Sequence, residues 1–282
     1  MNIFLSFLFT RRELCVRMIY QVERSMIMFY DYLSNLLSDK KGDVIFTCFG
    51  AWHFLYMLLI FGGTILTIIL LKNKSQELKT KAINIAVSIA FGLYMADFFL
   101  MPFAYGEIVV DKLPFHACTS MCILSFAARH SKLLSKYTLQ FALIGLISNL
   151  IYVVYPDGVA AYQIHPLSYR AVQTLIFHGA MVAYGILTLT LDNVKLEWKR
   201  CYRELVVLIL LACWALMGNA IYTGPLGNYN WFFVKRDPFG ILEESISRYL
   251  MPFITVASFF VMNIIIYSIY FGVKKLNRKQ IS

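Results

Sequence analysis

A cysteine and a histidine lie close together in residues 113–122, which read Leu-Pro-Phe-His-Ala-Cys-Thr-Ser-Met-Cys and open a hydrophobic segment. Such side chains are costly inside a bilayer and tend to mark function there. Cys118 could act as a nucleophile, and a nearby imidazole would favour its thiolate form. His116 and Cys118 are two residues apart, so on a helix they point about 200° apart and cannot pair. The thiol therefore needs a histidine from another helix.

The local sequence predicts that Cys118 lies near the N-terminus of a helix. Pro114 suits the first helical position, which would place Cys118 near the positive end of the helix dipole. That position favours the thiolate, burial in lipid favours the neutral thiol, and the sequence leaves the balance open. Cys122, one turn later, is best interpreted as a small buried hydrophobic residue.

The composition indicates a polytopic membrane protein. Of 282 residues, 59% are hydrophobic and only 15% are charged, unlike a soluble domain of this size. About 20 apolar residues are needed to span a bilayer as a helix. We predict an all-α transmembrane bundle of about seven spans, of which the third is the shortest, at residues 49–71, 82–104, 113–128, 137–155, 171–191, 205–223 and 249–271.

The distribution of lysine and arginine predicts the orientation. Loops and tail on one side of the predicted membrane hold fifteen of the 26 basic residues, and those on the other side hold five. The bias places the C-terminus in the cytoplasm and the N-terminus outside. The net charge of +10 is therefore a topology signal, and nucleic acid is not an expected partner.

We predict a membrane domain over residues 49–273, a basic cytoplasmic tail over 274–282 and an N-terminal extension over 1–48. The extension carries six basic residues although the predicted topology places it outside. It is either an interfacial amphipathic helix or an over-extended start. We favour the second, because Met26 and Met28 lie closer to the first span.

In this topology the ionisable intramembrane residues fall in the outer half. Cys118 lies about 7 Å from the outer end of its span, and His178 and Asp97 about 10 Å from theirs. His53, Asn149 and Asn219 lie near the outer ends of other spans. A shared polar cavity is predicted there, although a single such residue is more often a structural hydrogen-bonding group.

Two kinds of chemistry fit this cavity. A thiolate at Cys118 could take an acyl chain as a thioester and pass it to another lipid, with His178 as general base and acid. Alternatively His53, Asp97, His116 and His178 could hold a metal. No short His-x-His or His-x-x-x-His spacing supports the metal, so we predict neither a metal nor a cofactor.

The longest loop, residues 224–248, mixes turn residues with aromatic ones and adds Asn228 and Tyr229 as candidate ligands. Beside an outer cavity it could act as a lid or contact a lipid headgroup. We slightly favour the alternative, an ordinary aromatic loop at the membrane interface.

At Leu-Pro-Phe-His-Ala-Cys118 the chain resembles the bacterial YwaF-like integral membrane proteins, which are similar to a eukaryotic multi-pass acyltransferase that remodels ether phospholipids. His53, the Phe177-His178-Gly179 segment, and more weakly Gly227-Asn228-Tyr229 and Asp237-Pro238, extend the resemblance. It implies a seven-helix bundle in a bacterial plasma membrane, with Cys118 accepting the acyl group and His178 as its partner. The chain has Thr119 where an acidic residue is more usual, and Asp97 could take its place.

Other seven-span classes fit less well. The last span has no lysine for retinal and no histidines for a ceramidase-like metal hydrolase, and the signatures of a G-protein-coupled receptor are missing. A small transporter or lipid-binding protein, using the same cavity without turnover, stays open as the alternative. Membrane lipids are the expected partners, and the sequence does not define an oligomeric state.

Overall fold

The computed structural model describes residues 2–39, 43–105, 110–194, 196–222, 229–238 and 240–279. In these residues the regular structure is helical. The α-helices are α1 (Asn2–Leu37), α2 (Ala51–Leu71), α3 (Gln76–Tyr105), α4 (Ala117–His130), α5 (Thr138–Val154), α6 (Asp157–Ala160), α7 (Tyr169–Leu191), α8 (Tyr202–Ile221) and α9 (Glu244–Lys279). The all-α prediction is confirmed.

Helices α2–α5 and α7–α9 run up and down in alternation. We call the end of the bundle where α4 begins the upper end and the opposite end the lower end. At the lower end, Gln76 near the start of α3 donates to the carbonyl of Leu191 at the end of α7, with 3.2 Å between the atoms. Near the upper end, Gln173 of α7 donates to the carbonyl of Leu93 of α3, again at 3.2 Å. The two helices are therefore antiparallel.

Six of these seven helices are long and apolar enough to cross a membrane, and α4 is the exception. Its 14 residues rise about 21 Å, less than the roughly 30 Å of a hydrocarbon core. The helix begins at Ala117 rather than at residue 113, so placing Pro114 at its first position was wrong. Cys118 is nevertheless near the N-terminus of the helix, as predicted.

Side-chain hydrogen bonds explain why α4 begins late. The carbonyl of Pro114 accepts from Ser120 Oγ and from Trp214 Nε1, each at 2.6 Å. The ring of Phe115 packs so closely on α8 that a Cβ on Gly218 would lie 2.5 Å from it. The segment before α4 is thus fixed in a non-helical conformation, with His116 as the residue that precedes the helix.

Arg129, near the end of α4, fixes this helix to α7. Its guanidinium donates to Asp192 Oδ2 at 2.6 Å, to Thr188 Oγ1 at 3.0 Å and to Tyr184 OH at 3.3 Å. The side chains of Arg129 and Asp192 are each about nine-tenths buried. Because a buried charge is tolerated only when it is paired and hydrogen-bonded, this clamp defines how α4 lies along α7.

The N-terminal extension contains a long helix, α1, that lies against α3. The described side chains of α1 include many large apolar ones that are exposed, such as Ile19, Met26 and Phe29. Just after this helix, Asp39 pairs with Arg170 Nε of α7 at 2.9 Å. The extension is therefore joined to the bundle, and its apolar residues are available to a lipid surface.

The close approach of α5 and α7 yields a stability prediction. A Cβ on Gly185 would lie 2.6 Å from Leu146 Cβ and 3.0 Å from the carbonyl oxygen of Ala142. Since the backbone cannot yield as a flexible side chain does, we expect Gly185→Ala to destabilise the protein by about 1–3 kcal/mol. Thermal unfolding in detergent measures this change.

Gly63 of α2 is the matched control, because a Cβ there meets no atom within 4 Å. We expect Gly63→Ala to leave the melting temperature unchanged or to raise it, as alanine favours helices over glycine. Equal melting temperatures for the two variants would contradict the close packing of α5 on α7.

Candidate functional site

His178 is held by Asn149 in a defined tautomer. Its Nδ1 lies 2.7 Å from Asn149 Oδ1, and Asn149 Nδ2 donates to the carbonyl of Gly145, also at 2.7 Å. This second bond fixes the orientation of the amide, so the atom facing His178 is an oxygen that only accepts. The proton therefore lies on Nδ1, and Nε2 carries the lone pair of a potential base. In the described residues, no group is hydrogen-bonded to Nε2.

Tyr152 is the second support of His178. Its ring stacks on the imidazole with 4.0 Å between centroids and 19° between planes. Asn149 and Tyr152 are three residues apart on α5, so both contact α7 from one face of that helix. The imidazole is thus buried and fixed both in position and in rotation.

Cys118 lies at the same level of the bundle as His178. It precedes Arg129 by eleven residues on α4, and His178 precedes Thr188 by ten on α7. Because Arg129 and Thr188 are bonded at 3.0 Å, the thiol and the imidazole lie about 16 and 15 Å from the same point. Cys118 is partly exposed.

The thiol and the imidazole share neighbours but are not bonded to each other. Tyr152, which stacks on His178, also lies near Cys118, and Lys112 lies near both Cys118 and His178. Within the described part of the chain, no hydrogen bond joins Cys118 Sγ to the His178 ring. Pairs of nucleophile and base are often looser without substrate than during reaction.

An ion pair and a carbonyl hydrogen bond hold the segment before α4 against α3. Asp97 Oδ2 lies 2.6 Å from Lys112 Nζ, and the Tyr94 hydroxyl donates to the carbonyl of Lys112 at 2.9 Å. The carboxylate therefore pairs with a lysine. Asp97 contributes to the site by fixing the approach to α4.

His116 faces the loop and not the thiol. Its Nε2 lies 3.5 Å from Asp111 Oδ1, in the loop before α4. Hydrogen bonding and charge from His116, together with the charge of Lys112, hold the pKa of Asp111 below its usual value. The loop therefore carries a carboxylate beside an imidazole near the level of Cys118.

His53 has a structural role in this arrangement. Its Nδ1 accepts from the backbone N–H of Phe49 and its Nε2 donates to the carbonyl of Val153, each at 2.8 Å. Both ring nitrogens are thereby used, so His53 is not available to a metal. Because Val153 follows Tyr152, His53 fixes the end of α5 that supports His178.

Asn219 and Tyr229 belong to a separate set of contacts around Trp231. Asn219 donates to the carbonyl of Trp231 at 3.1 Å and accepts from its N–H at 3.0 Å, while Tyr229 stacks on the indole at 4.5 Å. The indole in turn packs against Phe115 at 4.9 Å. These residues support the segment that leads to Cys118. Asn228 lies outside the described residues.

The predicted site residues thus divide into two sets. Asp97, His116, Cys118, Asn149 and His178 gather around the start of α4, while Asn219 and Tyr229 support Trp231. Two members of this arrangement, Tyr152 and Lys112, were not proposed from the sequence. In the described part of the chain, no group of three or more His, Cys, Asp or Glu side chains could hold a metal ion.

The fold and this buried cluster define a multi-pass, all-helical integral membrane protein. The sequence pattern of the TMEM164 family matches residues 48–273, and the chain belongs to this family. No curated protein and no solved structure matches it. The resemblance to YwaF-like proteins and to an acyltransferase stays a prediction.

The contacts of His53 predict a loss of stability when it is replaced. His53→Leu would leave the partly buried N–H of Phe49 and the buried carbonyl of Val153 without partners. The buried carbonyl alone would cost about 1–3 kcal/mol. We expect a clearly lower melting temperature in detergent. His165→Leu is the control, because that imidazole accepts a single exposed hydrogen bond, from Leu167. A variant of His53 as stable as the parent would contradict the structural role.

Proposed function

We propose that the protein transfers acyl chains between membrane lipids through a thioester on Cys118, with His178 as general base and acid. The observation that carries the proposal is the His178–Asn149 hydrogen bond of 2.7 Å, because it leaves Nε2 as a free base at the level of the thiol. In papain-like proteases, cysteine, histidine and asparagine likewise act as nucleophile, base and the group that orients the base. The resemblance of residues 113–118 to YwaF-like proteins supports the same chemistry.

In the first half-reaction, His178 Nε2 takes the proton of Cys118 Sγ as the sulfur attacks the ester carbonyl of a phospholipid. The carbon–oxygen bond breaks, and the departing alkoxide takes the proton back from Nε2. The products are a lysophospholipid and an acyl thioester on Cys118. Asn149 stabilises the imidazolium that forms in between by accepting from Nδ1.

The second half-reaction reverses these steps with another acceptor. The hydroxyl of a second lysophospholipid gives its proton to Nε2 and attacks the thioester, and the thiolate leaves and is reprotonated. Water in place of that hydroxyl would release a fatty acid, so acyl hydrolysis is the side reaction of the same site. Both halves use the protein's own residues without a cofactor.

The proposal includes an orientation and a domain division. We place the upper end at the outer face of a bacterial plasma membrane and the C-terminus in the cytoplasm, in accord with the distribution of lysine and arginine. The seventh crossing is completed by α4 together with the extended segment before it. Residues 49–273 form the membrane domain, 1–48 an extension at the membrane surface, and 274–282 a basic tail.

A second candidate is a transporter or lipid-binding protein that uses the same cluster without turnover. It is favoured by one observation: in the described residues Cys118 and His178 are close in level but share no hydrogen bond. In that case the cluster would recognise a ligand through Lys112, Asp111 and His116, and the thiol would be a small packing residue.

The acyltransferase proposal is tested with purified protein, a phospholipid carrying a labelled acyl chain and an unlabelled lysophospholipid. We expect transfer by the parent protein and none by Cys118→Ala. His178→Ala should lose about 10²–10⁴-fold in rate, the usual contribution of a general base. Asn149→Leu should lose less, because the base remains but its tautomer is no longer fixed.

Cys122→Ala is the matched control, one turn further along α4 and fully buried. We expect it to keep its transfer activity. Undiminished transfer by Cys118→Ala would contradict the thioester, and lipid binding without turnover by the parent protein would favour the second candidate.

A further inference from the structure

Glu204 is an acidic side chain with no exposed surface, in the first turn of α8 at the lower end of the bundle. It lies at the opposite end from Cys118 and takes no part in the proposed reaction. In the described residues no lysine, arginine or histidine forms an ion pair with it. An ionised carboxylate buried without a countercharge is strongly disfavoured, so its protonation state needs an explanation.

Two donors reach one oxygen of this carboxyl group. Glu204 Oε1 accepts from the Tyr267 hydroxyl of α9 at 2.8 Å and from Gln140 Nε2 of α5 at 3.2 Å. Within the described part of the chain, neither the other oxygen, Oε2, nor Gln140 Oε1 has a hydrogen-bond partner. Glu204 and Gln140 are both almost completely buried. One carboxyl–amide pair therefore makes one hydrogen bond and leaves an acceptor unused on each side.

Two acceptors cannot satisfy each other, so this pair needs a hydrogen between its oxygens. Reversing the Gln140 amide would not help, because its oxygen would then face Oε1, which already accepts from Tyr267. A proton on Oε2 would supply the missing hydrogen, because the acid hydroxyl could donate to Gln140 Oε1 while Gln140 Nε2 donates to Glu204 Oε1. A neutral carboxyl group would then pair with the amide in an acid–amide ring.

We propose that Glu204 is a proton-binding site, occupied in the folded protein by a proton that Glu204 shares with Gln140. The charges around Glu204 are consistent with a bound proton. The titratable groups near Glu204 or its neighbours are Tyr267, Arg203, Tyr202, Tyr137, Cys201 and Glu197. Arg203, the one cation among them, is not fully buried. Trp198 covers the ring of Tyr267 with 5.2 Å between centroids.

The proton connects three helices, because Gln140, Glu204 and Tyr267 lie on α5, α8 and α9. Its loss would leave a buried negative charge whose second oxygen has no partner in the described residues. Above the pH at which an exposed glutamate ionises, the folded chain keeps a proton that the unfolded chain releases. By linkage the stability of the fold then decreases as the pH rises.

Infrared spectroscopy of the intact protein tests the proposal, since the carbonyl stretch of a carboxylic acid differs from that of a carboxylate and shifts in D₂O. We expect an acid band at neutral pH that is absent in Glu204→Gln and displaced in Gln140→Leu. The double variant Gln140→Glu, Glu204→Gln exchanges the two groups and should regain an acid band. The melting temperature of Glu204→Gln should depend less on pH than that of the parent.

Three results would overturn the proposal. One is an acid band that is the same in the parent, Glu204→Gln and Gln140→Leu. A second is an infrared spectrum in which Glu204 of the parent appears only as a carboxylate. That result would mean that a donor from solvent, and not a bound proton, partners Glu204 Oε2 and Gln140 Oε1. The third is a melting temperature that is higher in sodium chloride than in N-methylglucamine chloride for the parent but not for Glu204→Gln, which would assign a metal cation to this carboxylate.

Discussion

The clamp of Arg129 on α7 is the interaction on which the candidate site depends. All three nitrogen positions of the guanidinium are engaged, by Asp192, Thr188 and Tyr184. Moving α4 by one turn, about 5.4 Å, would break these bonds and leave a buried charge without a partner, which costs several kcal/mol. The clamp therefore fixes the register of α4 on α7, and this register brings Cys118 to the level of His178 at the far end of both helices.

The same requirement, that buried polar groups be partnered, recurs at both ends of the bundle. At the upper end, Asn149 and Tyr152 hold His178, while His53 fixes the end of α5 that carries them. At the lower end, Arg129 joins α4 to α7, and Glu204 joins α8 to α5 and α9. Helix α5 takes part at both ends, so it is the element through which the two polar layers are connected.

The sequence predicts much of this architecture because apolar runs mark helices and charges mark their ends. The ends of α2, α5, α7 and α8 lie within three residues of the predicted spans, while α3 and α9 extend five or more residues beyond theirs. The start of α4 was wrong because the local preference of Pro114 is overridden by Ser120 and Trp214, which bond to its carbonyl. Trp214 is 100 residues away in sequence, and no local pattern reveals such a contact.

The roles of single side chains were harder to predict than their depth. His53 and His178 looked alike in the sequence, yet one uses both ring nitrogens on backbone groups and the other keeps Nε2 free. Glu204 was overlooked because the predicted span began one residue later, and its partners Gln140 and Tyr267 are 64 and 63 residues away. In the sequence Lys112 resembles an ordinary loop charge, and only its ion pair with Asp97 shows its role. Each of these roles depends on a partner distant in sequence.

The most direct test of the account is whether Cys118 carries an acyl group. The purified protein would be mixed with vesicles of a phospholipid with an isotope-labelled acyl chain, quenched in acid and measured by intact-protein mass spectrometry. We predict an added mass of one acyl chain, located on the peptide that contains Cys118 and released by neutral hydroxylamine as a thioester would be. An acyl adduct that persists in Cys118→Ala would contradict the account. So would a folded parent protein that turns over lipid but carries no acyl adduct.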